Sequence, residues 1–103
     1  KHVKENGLIA PMVGHVGDGN FHSIILHDPK DEEKQKLIRD YSDKLIQKAL
    51  ELEGTITGEH GIGLQKKGYL LKEHPDNLPV MKSIKRSLDA NNIMNPGKVF
   101  DLN

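Results

Sequence analysis

Two short stretches hold side chains able to bind a metal and move a proton: Gly14-His15-Val16-Gly17-Asp18-Gly19-Asn20-Phe21-His22 and Gly58-Glu59-His60-Gly61-Ile62-Gly63. Asp-Gly between β-prone segments is a strong short-range signal for a two-residue hairpin turn. With Asp18 and Gly19 at that turn, Gly17 pairs with Asn20, Val16 with Phe21 and His15 with His22. Directly opposed residues share a face with Cβ atoms about 4.5–5.5 Å apart, from which two imidazoles can converge on one ion. A divalent ion then needs at least one more ligand, and Glu59 is the natural carboxylate. Two histidines and one carboxylate leave coordination positions open, as catalytic metals require, and the set suits Zn²⁺, Mn²⁺ and Fe²⁺ alike.

Each feature has a blander reading. A histidine pair across a strand is more often a hydrogen-bonded structural pair than a ligand pair. The Asp-Gly turn and the second Glu-His loop together favour ligation here. Asp18 suits its turn for backbone reasons alone. Gly58, Gly61 and Gly63 punctuate a loop, but they also let backbone approach a ligand closely. His2, His27 and His74 have no such company and read as surface or structural residues.

The elements that must position these side chains fit within 103 residues, room for one domain and one modest core. Lysine plus arginine number 15 and aspartate plus glutamate 15, so no net field favours nucleic acid or an anionic membrane surface. Cysteine is absent, which excludes disulfides and thiolate metal sites and fits a reducing compartment, with the cytoplasm favoured. No apolar run approaches a membrane span. The opening Lys1–Gly7 reads as the tail of a helix closed by Asn6-Gly7, and the chain is expected to be a C-terminal piece of a longer polypeptide.

Leu8 to Val16 and Phe21 to His27 read as the hairpin strands, apolar on both faces and so expected to be covered on both sides. Asp28-Pro29 ends the second, and Asp31-Glu32-Glu33 supplies the acidic first turn of a helix running to about Glu53. Its stripe is Leu37, Ile38, Tyr41, Leu45, Ile46, Ala49, Leu50 and Leu52, with Gly54 as cap. Thr55-Ile56-Thr57 reads as a short strand delivering Glu59 and His60. Lys66, Lys67 and Lys72, around a helix from Leu64, read as a solvated face. A last helix from about Leu78 to Ala90 carries Val80, Met81, Ile84 and Leu88 as its apolar stripe, before a turn-rich Asn91–Val99.

In this order and at these intervals, GHVGDGNFH, TGEHGIG and the terminal NPGK resemble the C-terminal part of FAD-linked 2-hydroxyacid dehydrogenases. These form the cytochrome-type D-lactate dehydrogenase and glycolate oxidase GlcD-like branch of the vanillyl-alcohol oxidase superfamily. The resemblance implies that His15, His22 and Glu59 hold a divalent metal and that His60 is the catalytic base. It further implies oxidation of a D-2-hydroxy acid to the 2-oxo acid by hydride transfer to FAD, with electrons leaving to a separate acceptor. The resemblance also implies that Asn20 helps orient substrate or flavin and that Asn95 and Lys98 lie in the segment that returns to the flavin, although Asn, Pro and Gly make a turn in any context. Relatives that oxidise 2-hydroxyglutarate tend to carry a polar residue two positions after the second motif histidine. Ile24 stands there in this chain, which favours D-lactate, then glycolate.

The fold so implied is α+β, an antiparallel sheet with helices packed on one side, like the ferredoxin-like cap of these flavoenzymes, with the FAD-binding domain outside residues 1–103. Two or three strands cannot close that sheet, so upstream sequence or a second copy in a homodimer is expected to complete it. Two competing functions remain open: a non-catalytic metal-binding or interaction module retaining the loops, and a metal hydrolase. No nucleophile or oxyanion signature accompanies the site to support the latter.

Overall fold

The computed structural model describes residues 1–103, the side chain of His2 excepted. Four α-helices and a two-stranded antiparallel sheet make the chain α+β, as expected. The backbone divides into two compact units, Lys1–Gly54 and Thr55–Asn103.

In the first unit, α1 (His2–Glu5) ends at a left-handed Gly7, with φ 64°. Gly7 N–H donates to Lys4 O at 3.3 Å and Leu8 N–H to Val3 O at 2.9 Å, the paired bonds of a Schellman motif. This is the Asn-Gly closure read from the sequence, and it carries Leu8 into the core. Strands β1 (Met12–Val13) and β2 (His22–Ser23) pair antiparallel, Met12 with Ser23 and Val13 with His22. An isolated bridge between Ile9 and Leu26 continues the same register.

That register corrects the expected one. His22 lies opposite Val13, not His15, and the connection runs from Gly14 to Phe21 in place of a two-residue turn. The reason is where the loop's backbone groups find partners. His15 O accepts from Asp18 N–H at 2.9 Å and from Asn20 N–H at 3.2 Å, and Gly19 N–H bonds Val16 O at 3.0 Å. A 3₁₀ turn over Val16–Asp18 consumes the groups that a longer ladder would need. Because the shift is two residues, His22 keeps its face. The ladder is also shorter than expected and largely uncovered. Ile9 is 63 % exposed and Leu26 57 %, and Met12, Val13 and Ile24 are exposed too.

Helix α2 (Glu32–Glu51) starts where the acidic cluster indicated, with the Asp31 carboxylate accepting from Lys34 N–H at 3.0 Å. Leu37, Ile38, Tyr41, Leu45, Ile46, Ala49 and Leu50 are half-buried along one face, and the Tyr41 hydroxyl meets Ser23 Oγ at 2.8 Å, tying α2 to β2. Leu52 leaves the stripe, exposed at the helix end. The left-handed residue of this cap is Glu53 (φ 60°), not Gly54. Gly54 N–H bonds Ala49 O at 2.7 Å, and Glu53 N–H bonds Leu50 O at 3.0 Å.

The second unit packs Ile56, Leu70 and Leu78 as its buried apolar residues. Residues 55–57 form no strand. The Ile56 N–H donates to the Glu73 carboxylate at 3.3 Å, so a side chain does what a strand partner would have done. Helix α3 spans Lys67–Glu73, starting three residues later than expected, and α4 spans Leu78–Leu88 with a proline in its first turn. The expected α4 stripe is also corrected: Val80, Ile84 and Leu88 are exposed, Leu88 by 81 %. The covered face carries Leu78, Met81, Lys82 and Lys85. Lys85 bonds Asp89 and Met94 O, and Lys82 reaches Asn103 O at 3.4 Å, so the face binds chain instead of apolar core.

Candidate functional site

In the first unit, Gly14, at φ 154°, begins the loop that carries His15 and Asn20. A Cβ added there would stand 2.6 Å from both Asn20 O and Phe21 Cα, backbone atoms that cannot swing aside, so only glycine fits. His15 is exposed in the loop, whereas His22 and Asn20 are half-buried. His27 is exposed, its Nδ1 3.4 Å from Ile25 O. The expectation for His2 lies outside the described residues.

In the second unit, Glu59 and His60 stand side by side, with Oε1 and Nε2 3.6 Å apart. His60 is 68 % exposed and Glu59 44 %. The loop that carries them is closed from beneath: Thr57 Oγ1 donates to Gly61 O at 3.3 Å, and Lys66 Nζ donates to Thr57 Oγ1 at 3.1 Å. Val99 N–H bonds Gly63 O at 2.7 Å, which joins the Asn95–Val99 segment to the same loop. Lys67 Nζ reaches Gly97 O at 3.1 Å and Asp101 Oδ1 at 2.9 Å. The second unit therefore unites Glu59 and His60 with the segment bearing Asn95 and Lys98. Lys98 itself turns its ammonium to Pro96 O at 3.3 Å. His74 Nε2 stands 3.6 Å from the carboxylate of its neighbour Glu73.

Asp89 fixes the entry to that segment. Its buried carboxylate accepts from Ile93 N–H at 3.0 Å and Met94 N–H at 2.9 Å, and it pairs with Lys85. The Lys85 hydrogen bond, then the two backbone N–H groups, lower its pKa to about 2.

Thr57, Lys66, Lys67 and Asp89 were not among the residues singled out by sequence. Lys66 and Lys67 were read as a solvated face, yet both are half-buried and bonded. One signal was available. They sit at the N-terminal end of α3, where the helix dipole disfavours cations, so their placement asks for partners elsewhere.

Residues 1–99 match the family described as FAD linked oxidases, C-terminal domain. The chain belongs to this family. It is 48 % identical over 98 residues to a probable mitochondrial D-lactate dehydrogenase of Danio rerio, covering 94 % of this chain and 20 % of that protein. With the mitochondrial D-lactate dehydrogenase [cytochrome] of Arabidopsis thaliana it shares 43 % over 101 residues, 97 % of this chain and 18 % of that protein. The glycolate oxidase subunit GlcD of Bacillus subtilis is 41 % identical over 88 residues, covering 84 % of this chain and 19 % of that one. The chain spans about a fifth of the length of these relatives. Among the described residues, no helix is long and apolar enough to cross a membrane.

Proposed function

We propose that this chain is the C-terminal, base-bearing part of an FAD-dependent dehydrogenase that oxidises a small D-2-hydroxy acid, D-lactate before glycolate, to the 2-oxo acid. The observation that carries the reading is the Glu59–His60 pair, 3.6 Å apart, on a loop bonded through Gly63 and Val99 to the NPGK segment. It joins, within one compact unit, a proton acceptor and the stretch assigned to the flavin. Membership of the family supports FAD, and the dehydrogenase and oxidase relatives support the reaction class.

The donor set of His15, His22 and Glu59, imidazole nitrogens and a carboxylate oxygen, fits a divalent ion such as Zn²⁺, Mn²⁺ or Fe²⁺. FAD, bound mainly by sequence outside this chain, supplies the two-electron acceptor, and the ion supplies a Lewis acid for the substrate's hydroxyl and carboxylate. His60 takes the hydroxyl proton at an imidazole nitrogen, with its ring beside the Glu59 carboxylate. Asn20, Asn95 and Lys98 orient the substrate or the flavin edge. Ile24 presents an apolar, exposed side chain, which disfavours a substrate with a distal carboxylate.

A separate acceptor takes the electrons onward; the Arabidopsis relative has a cytochrome in its name. The exposed apolar hairpin is covered in the parent protein by upstream strands, or by a second copy in a homodimer. The compartment is proposed as the cytoplasm or another reducing one; the zebrafish and Arabidopsis relatives are named mitochondrial.

The test is anaerobic bleaching of the flavin absorbance in the full-length parent with D-lactate, L-lactate, glycolate and D-2-hydroxyglutarate in turn. Rapid bleaching by D-lactate, lost in His60→Ala, is the expected result. Bleaching by none of the four would leave the loops as a binding module and overturn the reading.

A further inference from the structure

We propose that Thr57 and Lys66 are positioning residues that hold His60 in register for proton transfer, with Lys67 fixing the neighbouring terminal segment to the same helix end. The proposal rests on His60 being the base. Thr57 has one hydroxyl, and both its roles are filled: it donates to Gly61 O at 3.3 Å and accepts from Lys66 Nζ at 3.1 Å. The first bond spans the four-residue step that contains Glu59 and His60. The second anchors that bond to the start of α3.

The backbone closes the same ring. Lys66 N–H donates to Ile62 O at 3.3 Å, while Lys66 O accepts from Leu70 N–H at 3.0 Å. One residue thus ends the loop, begins the helix and, through its side chain, reaches back to the loop's first bend. Chains of bonds in which each group both gives and receives strengthen one another. Lys67 adds the parallel tie, to Gly97 O at 3.1 Å and Asp101 Oδ1 at 2.9 Å.

Gly58, Glu59, His60 and Gly61 are all exposed, and a glycine-flanked exposed loop is drawn from the low-stability end of a fold. A base displaced by about 1 Å loses up to about 100-fold in rate, so a latch under the loop is felt at the imidazole. Lysine at the positive end of a helix is disfavoured by the dipole, and the bond to Thr57 gives that placement a reason.

The experiment uses the full-length flavoprotein with D-lactate, comparing Thr57→Val, Thr57→Ser, Lys66→Met, Lys72→Met and His60→Ala. Two readouts are taken: the limiting rate and half-saturation of anaerobic flavin reduction, and amide hydrogen exchange in peptides covering 57–63 and α4. Thr57→Val and Lys66→Met are expected to slow reduction by about 10- to 100-fold with half-saturation changed less than about threefold. Exchange should quicken in 57–63 and stay unchanged in α4, which separates a loosened loop from a failed fold. Thr57→Ser restores the hydroxyl and with it both readouts, and Lys72→Met, at an exposed lysine on the same helix, leaves both unchanged. Unaltered exchange and reduction in Thr57→Val would overturn the latch. Wild-type reduction in His60→Ala would instead overturn the base assignment, and the exchange data would still report on the latch.

Discussion

Val99 donates its backbone N–H to Gly63 O at 2.7 Å while holding a left-handed φ of 69°. That conformation is uncommon for a β-branched residue and is retained where surrounding bonds determine it. The bond makes the glycine-rich loop and the terminal segment one structural element, so a disturbance at residue 99 should be felt at His60.

Val99→Pro tests this coupling. Proline has no N–H to give and cannot adopt a positive φ, so the bond and the local conformation are both lost. Destabilisation of more than about 1 kcal/mol is expected in thermal unfolding. Flavin reduction in the parent should fall with it. Full activity in the variant would show that the two segments work independently.

Glu53→Gly should stabilise the first unit. Glu53 occupies the left-handed position of the α2 cap at φ 60°, which a side chain adopts at a cost of about 1–2 kcal/mol and glycine adopts freely. Its carboxylate is exposed and stands two residues past the last residue of α2, where a negative charge is also unfavourable. A gain of about 1 kcal/mol by denaturant unfolding is expected, with no effect on flavin reduction. A loss of stability would mean that the Glu53 side chain makes a contact outweighing its backbone strain.

Gly14→Ala should do the opposite. The added Cβ would lie 2.6 Å from Asn20 O and Phe21 Cα, and relief requires the loop itself to move. Destabilisation of about 2–4 kcal/mol follows from clash and backbone strain together. Because His15 and Asn20 ride on that loop, metal content should fall as well, read by elemental analysis. An alanine variant of wild-type stability would contradict the close approach.

Acid should weaken the second unit through Asp89. Its folded pKa of about 2 lies below the ordinary value of 3.8, so its contribution is fully present above about pH 4. It is lost progressively as pH falls from there toward 2. Asp89→Asn should lower the thermal midpoint by several degrees at pH 7 and flatten the acid dependence in that window. An unchanged slope would assign the acid response to other carboxylates.

How much of this was legible beforehand can be judged residue by residue. The α2 stripe apart from Leu52, the acidic start of that helix, and the Gly7 closure of α1 follow from local rules that need no tertiary information. The hairpin register did not, because Asp18-Gly19 can close a two-residue turn or end a 3₁₀ turn. The choice went to the loop whose His15 carbonyl takes two N–H groups. The α4 stripe failed because its covered face is used by Lys82 and Lys85 to bind chain, which hydrophobic spacing cannot reveal. Of the site, Glu59 and His60 were legible as a pair, whereas Thr57 and Lys66 act through bonds across sequence separations that no local pattern marks.

Metal binding is the last consequence, and the altered register sharpens it. With His22 opposite Val13, the proposed ligand His15 would reach an ion from a loop, not from a paired strand, so its imidazole depends on the loop's own bonds. His22, half-buried on β2, is held by the ladder. In the full-length parent, His22→Ala should therefore reduce metal affinity more than about 100-fold, and His15→Ala by at least about 10-fold, since a loop ligand leaves a vacancy that water can fill. His27→Ala, at an exposed histidine beside Ile25 O, should leave metal content unchanged. Chelation should abolish flavin reduction by D-lactate and restoring Zn²⁺, Mn²⁺ or Fe²⁺ should recover it. Metal retained at full stoichiometry in His22→Ala would remove His22 from the ligand set and leave the two-histidine reading without its better-ordered member.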